Sequence, residues 1–575
     1  MDQRARRITD RSRRPRSIPW IDLLVVLGLG GLLLALIGLG REWTGAPRPS
    51  ITIDLSLWAL PRYTMFSLSR GMLAYCLSLA FTLVYGYWAA KDRLAGRLLI
   101  PLLDVLQSIP VLGFMPGLIL ALVTLFPRSN VGLELAAVIM IFTGQAWNMT
   151  FSFYHSLRSI PADLKEAATV YRFGWWQRFR SLELPYATMG LVWNSMMSMA
   201  GGWFFLMINE SFQLGSRDFR LPGVGSYMTV AVERGRVDAM LFAIAAMIAM
   251  IVLLDQLLWR PVVAWAQKFR FEETGSQQNI SSWFLDWLRL SRIPRLPGRL
   301  GRAVSSAWTT RRAAPPRASD PAIPGRRWSG WSPVAIGAIA LLLGYGATRL
   351  GQLLPRVTGD EWRDMLSAGG FTLGRVLLST AIGTLWALPA GVAIGLSPRL
   401  SRLLQPVVQV AASFPAPMLF PLVIAVLQWA GISLNWGSIL LMLLGTQWYI
   451  LFNVVAGAMA IPSDLREAAQ SYRFGLWQRF RTLYLPGVFP YLVTGWVTAA
   501  GGAWNASIVA EFVTFRGETL TAHGLGAQIS AAAATANFPR LAASIMVMSA
   551  IVVFFNRTVW RRCYRIAEER YALTR

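Results

Sequence analysis

The residues best suited to chemistry in this chain of 575 residues are a twenty-residue segment written twice, EAATVYRFGWWQRFRSLELP over 166–185 and EAAQSYRFGLWQRFRTLYLP over 467–486, offset by 301. Chance does not produce such a match. The chemistry on offer is recognition. Pro161 suits the first turn of a helix, and Asp163 with Glu166 sets negative charge at the positive end of its dipole. Ala167–Tyr171 continues a short helix, and Gly174 permits a break. Trp176, Phe179, Leu182 and Leu184 then form an amphipathic stretch ending at Pro185. Two short helices joined by a turn have the geometry of a docking element; a re-entrant amphipathic loop packed against helix ends is the other reading.

Other chemistries find little support. Cys76 and Cys563 lie far apart in sequence, and His155 and His523 read as ordinary polar residues, so neither a disulfide framework nor a metal site is indicated. None of the three lysines, Lys91, Lys165 and Lys268, closes a Gly-x-x-x-x-Gly-Lys-Ser/Thr loop, so the chain is not its own ATP motor. The net charge of +26 suggests a nucleic-acid partner until the composition is weighed: 54% of residues are hydrophobic and 15% charged, against about 25% in a soluble domain. Apolar runs of the length a bilayer requires recur, as in Ile21–Gly40, Ala239–Leu254 and Ile439–Ala460. The chain reads as an all-α polytopic membrane protein without a nucleic-acid partner.

The elements that must position the repeated segment are themselves duplicated. The shift of 301 carries Gly144 and Trp147 onto Gly445 and Trp448, Glu210 onto Glu511, and Gly223 and Gly225 onto Gly524 and Gly526. Upstream the shift becomes 305, pairing Phe66 and Arg70 with Phe371 and Arg375. Two six-helix halves follow, 20–267 and 331–575, flanked by a basic N-terminus, 1–19, and joined by an Arg- and Pro-rich linker, 268–330. Expected spans are 20–40, 71–90, 99–126, 132–151, 186–208 and 239–259, then 331–349, 372–396, 403–429, 437–459, 487–510 and 541–560, about 12 in all. The basic start before Ile21 is read as preceding an uncleaved first helix, not a signal peptide. An even number per half makes the repeats parallel, related by an axis along the membrane normal. Within the linker, Trp283, Trp287 and Leu290 recur at helical spacing beside Arg289 and Arg292, the pattern of a helix on the membrane surface.

Charge sets the orientation. With the N-terminus inside, cytoplasmic segments carry 40 Lys+Arg against 14 Asp+Glu, and outer segments 15 against 12. Both termini are therefore expected in the cytoplasm, with the repeated segments in the cytoplasmic loops between spans four and five of each half. The basicity is mainly topological, and part of it suits anionic lipid headgroups along the linker.

The third spans carry Ser108, Pro110 and Pro116, then Ser413, Pro415 and Pro421; the fifth carry Gly201-Gly202 and Gly501-Gly502 and end on Glu210 and Glu511. Proline kinks a span and paired glycines allow bending or close packing, so these residues are expected to line and flex a translocation pathway. Glu210 and Glu511 would serve an outer gate or cap against headgroups. Arg70, Arg375, Arg217 and Arg220 lie near the expected outer face, where they could attract an anion or bind lipid phosphate. No basic residue lies in the middle of a span. Polar residues within spans, including Asn194, Asn209, Gln145, Gln447 and Asn505, are expected to face the interior.

The Glu-Ala-Ala start, Leu-Pro end and length of the repeated segment resemble the cytoplasmic EAA loop of permease subunits of binding-protein-dependent ABC importers, over about 200 residues in each half. The resemblance implies a type I importer permease, a transport protein and not an enzyme, in the bacterial inner membrane. It makes the loops coupling helices that insert into an ATPase groove. The residues concerned are Glu166, Ala167, Ala168, Arg172, Gly174, Leu184 and Pro185, then Glu467, Ala468, Ala469, Arg473, Gly475, Leu485 and Pro486, with Glu166 and Glu467 as the contacts. It implies two ATP-binding subunits, a homodimer carrying ATP and Mg, and a separate solute-binding protein, with no cofactor in this chain. The Ser-x-Pro pattern with a second proline six residues on resembles the branch carrying nitrate, sulfonates, taurine, bicarbonate or thiamine precursors. The family's glycine six residues after the glutamate is replaced by Arg172 and Arg473, so the turn is expected to be displaced toward Gly174 and Gly475. The rival from another class is an ion- or proton-coupled secondary transporter, whose midplane acid could only be Asp104, matched by Gln409 in the second half.

Overall fold

The structure, a computed structural model, describes residues 37–38, 40–45, 52–214, 217–269, 282–290, 332–515 and 517–571. The N-terminal segment 1–19, nearly all of the span expected at 20–40 and most of the linker lie outside these residues. Two compact units are present, one of residues 1–44, 155–193 and 252–327, the other of residues 45–154, 194–251 and 328–575. Both repeats contribute to the larger unit.

In the larger unit the first half supplies α1 (Leu60–Phe81), α2 (Arg93–Ser108), α3 (Val111–Leu125) and most of α4 (Val131–Arg158). It also holds the C-terminal part of α5 (Leu184–Asn209), then α6 (Val224–Glu233) and most of α7 (Val237–Leu254). The second half adds α8 (Ser332–Leu353), α9 (Gly359–Leu396), α10 (Pro398–Ser413), α11 (Phe420–Trp429), α12 (Leu434–Ala460), α13 (Leu485–Ala510), α14 (Leu525–Ala534) and α15 (Phe538–Phe555). Among the described residues eight helices are long and apolar enough to cross a membrane, or up to ten if each bent pair is one span. The architecture is that of an all-α polytopic protein.

Small residues set the packing. In the second half α9, α12 and α13 share a core of Ala387, Val392, Val454, Ala458, Val488 and Leu492. A Cβ on Gly391 would lie 2.6 Å from Val454 Cγ1, and one on Gly395 2.6 Å from Ala458 Cβ, so glycine is what lets these backbones meet. In the first half polar contacts join α4 to α1 and the turn that follows it, with Ser78 of α1 3.4 Å from Gln145 Oε1 and the Thr82 and Thr150 hydroxyls 3.1 Å apart.

Two features depart from expectation. The third spans are broken, not kinked: α2 and α3 meet at 96°, and α10 and the chain entering α11 at 82°. Pro110 and Pro415 stand in extended conformation at the breaks, because each ends the preceding hydrogen-bond ladder and starts the next segment without needing an N–H donor. Pro116 and Pro421 lie within the second segments. The second departure is a pair of short antiparallel hairpins after the fifth spans, β1 (Ser211–Leu214) with β2 (Arg217–Arg220) and β3 (Phe512–Phe515) with β4 (Glu518–Thr521).

The smaller unit holds the first repeated loop, the N-terminal start of α5, and the helix Trp283–Leu290, which forms at the aromatic spacing noted above. Ser282 Oγ accepts from Leu285 N at 3.2 Å at its start, and Trp283 Nε1 donates to Gln256 Oε1 at 3.2 Å.

Candidate functional site

Each repeated loop opens with a nine-residue helix, Ala162–Val170 and Ser463–Ser471, entered through an extended proline and carrying an acid in the first turn, Asp163 or Asp464. One side chain in each is buried, Ala168 or Ala469. Glu166 and Glu467 are exposed. The third letter of the motif therefore seats the helix, and the first faces outward.

The turn is not displaced. Arg172 has φ 50° and Arg473 φ 53°, in the left-handed region that favours glycine, at the position where the resemblance leads one to look for glycine. The surrounding hydrogen bonds close a Schellman cap: Phe173 N donates to Ala168 O and Arg172 N to Thr169 O, both at 2.9 Å. Phe474 to Ala469 and Arg473 to Gln470 repeat it at 3.0 and 2.9 Å. Gly174 and Gly475 are extended at φ −63° with open space around them, so neither is required by its backbone.

Nor does the amphipathic stretch end at the proline. From Trp175 or Leu476 the helix passes through one π turn, Phe179–Glu183 or Phe480–Tyr484, and continues as α5 or α13. A π turn rearranges the ladder where Pro185 and Pro486 lack an N–H, so Leu184, Pro185, Leu485 and Pro486 lie in the first turn of the fifth spans. In the first loop Arg178 Nε pairs with buried Glu183 Oε1 at 3.1 Å; Tyr484 takes that place in the second.

The outward face of each loop is apolar and aromatic. Val170 is 78% exposed and Tyr171 75%, beside Trp175 and Trp176; Tyr472, Leu476 and Trp477 repeat the pattern. Trp175 and Trp176 stack on Phe179, and Trp477 on Phe480, which holds the rings in place without hiding them. In each loop by itself, exposed apolar surface beside an acid and an arginine, Glu166 and Arg172 in the first and Glu467 and Arg473 in the second, is the composition of a docking face.

The other set of polar residues closes the opposite ends of the fifth spans. Arg70 is fully buried in α1 and forks onto Glu134, with Nε to Oε2 at 2.6 Å and Nη2 to Oε1 at 2.7 Å. Its Nη1 donates to Glu210 Oε1 at 2.8 Å and to Pro222 O at 2.9 Å. Glu210 also accepts from Ser67 Oγ at 2.6 Å and Gly225 N at 2.7 Å. In the second half Arg375 Nη1 donates to Glu511 Oε1 at 2.8 Å and to His523 O at 2.9 Å. Glu511 accepts from Thr372 Oγ1 at 2.9 Å and Gly526 N at 2.9 Å. Asn435 stands where Glu134 would be, accepting from Arg375 at 3.0 Å. A Cβ on Gly223 or Gly524 would fall on the clasped carboxylate, and that close approach is why these positions are glycine.

Arg70, Glu210 and Glu511 are thus enclosed in these clusters, and Arg375 nearly so, away from anions and headgroups. Arg220 pairs with Glu233 at 2.8 Å; Arg217 is described in its backbone only. Glu134, Asn435, Ser67 and Thr372 were not singled out from sequence. The signal existed, since the same two shifts pair Glu134 with Asn435 and Ser67 with Thr372.

The remaining residues expected along a pathway are dispersed. A Cβ on Gly202 would meet Gln145, one on Gly502 would meet Tyr449, and Gly501 faces open space. Ser413 Oγ donates to Gln409 O at 2.8 Å, while Ser108 is described in its backbone only. Asp104, the acid of the carrier reading, is exposed and accepts from Gln107 at 2.9 Å.

Comparison with known proteins bears on these arrangements. The model of the binding-protein-dependent transport system inner membrane component family matches twice, at residues 82–258 and 383–566, more than half of the chain. The taurine transport system permease protein TauC of Escherichia coli (strain K12) is 27% identical over 161 residues, 28% of this chain and 55% of that protein. The bicarbonate transport system permease protein CmpB of Synechococcus elongatus is 29% identical over 189 residues, 29% of this chain and 64% of that protein. The chain thus spans between half and two thirds of the length of these relatives. The putative aliphatic sulfonates transport permease protein SsuC of E. coli (strain K12) is 32% identical over 188 residues, 32% of this chain and 69% of that protein. With two matched domains in one multi-pass chain, the protein belongs to the family of binding-protein-dependent transport system inner membrane components, as a fused tandem of permease domains and not an enzyme.

Proposed function

We propose that the two halves together form the translocation pathway of an ATP-driven importer of the ABC type for a small anion delivered by an extracytoplasmic solute-binding protein. The observation that carries this reading is the duplicated outward face of the loops, with Tyr171, Trp175 and Trp176 on one and Tyr472, Leu476 and Trp477 on the other. Two equivalent faces suit two equivalent partners, so each loop engages one subunit of an ATPase homodimer that carries ATP and Mg. ATP binding closes that pair, draws the loops together and opens the pathway outward; hydrolysis resets it. Arginine-rich segments between the expected spans support both termini lying in the cytoplasm, and the family description supports the membrane being a bacterial inner membrane. Relatives named for taurine, bicarbonate and aliphatic sulfonates support an oxyanion-like solute of that size. Ser108, Pro110, Pro116, Gly201, Gly202, Ser413, Pro415, Pro421, Gly501 and Gly502 belong to its third and fifth spans, and the broken third spans supply the irregular backbone that membrane proteins keep for cavity walls.

The test is uptake by vesicles holding the permease, its ATPase and its binding protein, with ATP inside or outside and the proton and sodium gradients collapsed. Uptake that follows ATP on the cytoplasmic side supports the reading. Uptake driven by an ion gradient without ATP would establish the secondary-transporter alternative.

A further inference from the structure

Midway along α12, Tyr449 occupies a place that the duplication makes informative. Its phenol oxygen lies 3.6 Å from where a Cβ on Gly201 would sit, and its ring carbon Cε2 lies 3.2 Å from the same point on Gly502. Gly201 and Gly502 are equivalent under the shift of 301, one on the fifth span of each half. An axis that exchanges the halves passes between equivalent points, so a side chain that reaches both glycines stands beside that axis. In a permease built from parallel repeats that is where the solute passes.

The polar groups there are unspent. Tyr449 O accepts from Asn453 Nδ2 at 2.8 Å, but the Tyr449 hydroxyl has no hydrogen-bond partner among the described residues. The equivalent residue of the first half is Asn148, exposed in the middle of α4 and likewise without a partner among the described residues. A hydroxyl and an amide midway along membrane-spanning helices, with no hydrogen-bond partner among the described residues, are costly in lipid and belong where they meet water or a solute. One step along α13, Gly501 faces open space, and Asn505 on the same helix accepts from Val111 N at 2.8 Å, tying the broken third span of the first half to the fifth span of the second.

We infer that Tyr449 and Asn148 form the solute-contacting point of the pathway, the Tyr449 hydroxyl donating to an oxygen of a small oxyanion as it passes between Gly201 and Gly502. This rests on the transport reading above and adds the residues and the chemistry. Neutral donors hold an anion briefly where a buried arginine would trap it, which conduction requires. The two halves supply different groups at one duplicated position, so the contact is asymmetric, and the tyrosine narrows the path more than the asparagine.

Two measurements test it in the full complex. Tyr449→Phe removes the hydroxyl alone, and uptake of whichever probe the wild-type complex accumulates, nitrate, taurine or bicarbonate, should fall about tenfold at sub-saturating concentration while the variant permease still co-purifies with its ATPase as a monodisperse complex. Separately, with Cys76 and Cys563 replaced by serine, Tyr449→Cys and Asn148→Cys should react with a membrane-impermeant sulfonate-bearing methanethiosulfonate, and the exposed apolar position Leu385→Cys should not. Wild-type uptake by Tyr449→Phe overturns the inference, as does failure of Tyr449→Cys to react. ATP-driven uptake in the same wild-type vesicles keeps the transport reading intact in either case.

Discussion

Replacing Arg70 should damage the protein more than replacing Arg375, although the two are equivalent by duplication. Arg70 is the single cation between two buried carboxylates, Glu134 and Glu210, at 2.6 and 2.8 Å, with all three side chains fully enclosed. Arg375 faces one, Glu511, at 2.8 Å, and its other side-chain partner is the neutral Asn435. Removing one member of a buried ion pair costs about 3–5 kcal/mol, because the partner remains as an uncompensated charge. Arg375→Met should cost about that much. Arg70→Met strands a second carboxylate and should lie at or beyond the upper end of that range. Part of the loss should return in Arg70→Met/Glu134→Gln, which leaves one stranded carboxylate as in the second half. The assay is the temperature at which half of the purified permease leaves the monodisperse peak on size exclusion. Equal losses for the two arginine variants, or no recovery in the double variant, would refute the assignment of Glu134 as the extra buried charge.

Two further perturbations separate space from conformation. Gly223→Ala and Gly524→Ala put a methyl group on the clasped carboxylates of Glu210 and Glu511 and should each lower stability by about 1–3 kcal/mol, whereas Gly174→Ala, in open space at φ −63°, should be neutral in the same melting assay. Arg172→Gly with Arg473→Gly relieves two left-handed side-chain-bearing residues and should raise stability by about 1 kcal/mol at each turn; a loss of stability would mean that the arginines contribute contacts worth more than the strain.

What the sequence disclosed and what it withheld follow from distance along the chain. The repeat, the apolar spans and the loop helices rest on local periodicity and on self-comparison; the loop helices form in both copies, and eight helices, or up to ten with the bent pairs, are long and apolar enough to cross a membrane among the described residues, while nearly all of the span expected at 20–40 lies outside them. The Arg70 cluster joins residues 64 and 140 positions apart, and nothing local marks Glu134, near the start of α4, as a buried partner. Charge without a visible partner reads as surface, which is why Arg70 and Arg375 were expected to face anions or headgroups. The hairpins were missed because strands of four residues carry too little alternation to stand out beside long helices. Glycine as the marker of a left-handed turn points two residues late, to Gly174 and Gly475, because here arginine bears the strain at both sites.

In the proposed function the loops at Glu166 and Glu467 couple this permease to ATP hydrolysis. The direct measurement is ATP hydrolysis by the co-purified ATPase, stimulated by solute-loaded binding protein, in Glu166→Ala, Glu467→Ala and the double variant. Partial loss is expected in each single variant and a loss of about tenfold or more in the double, with the ATPase still bound to nucleotide. Stimulated hydrolysis unchanged in the double variant would contradict it.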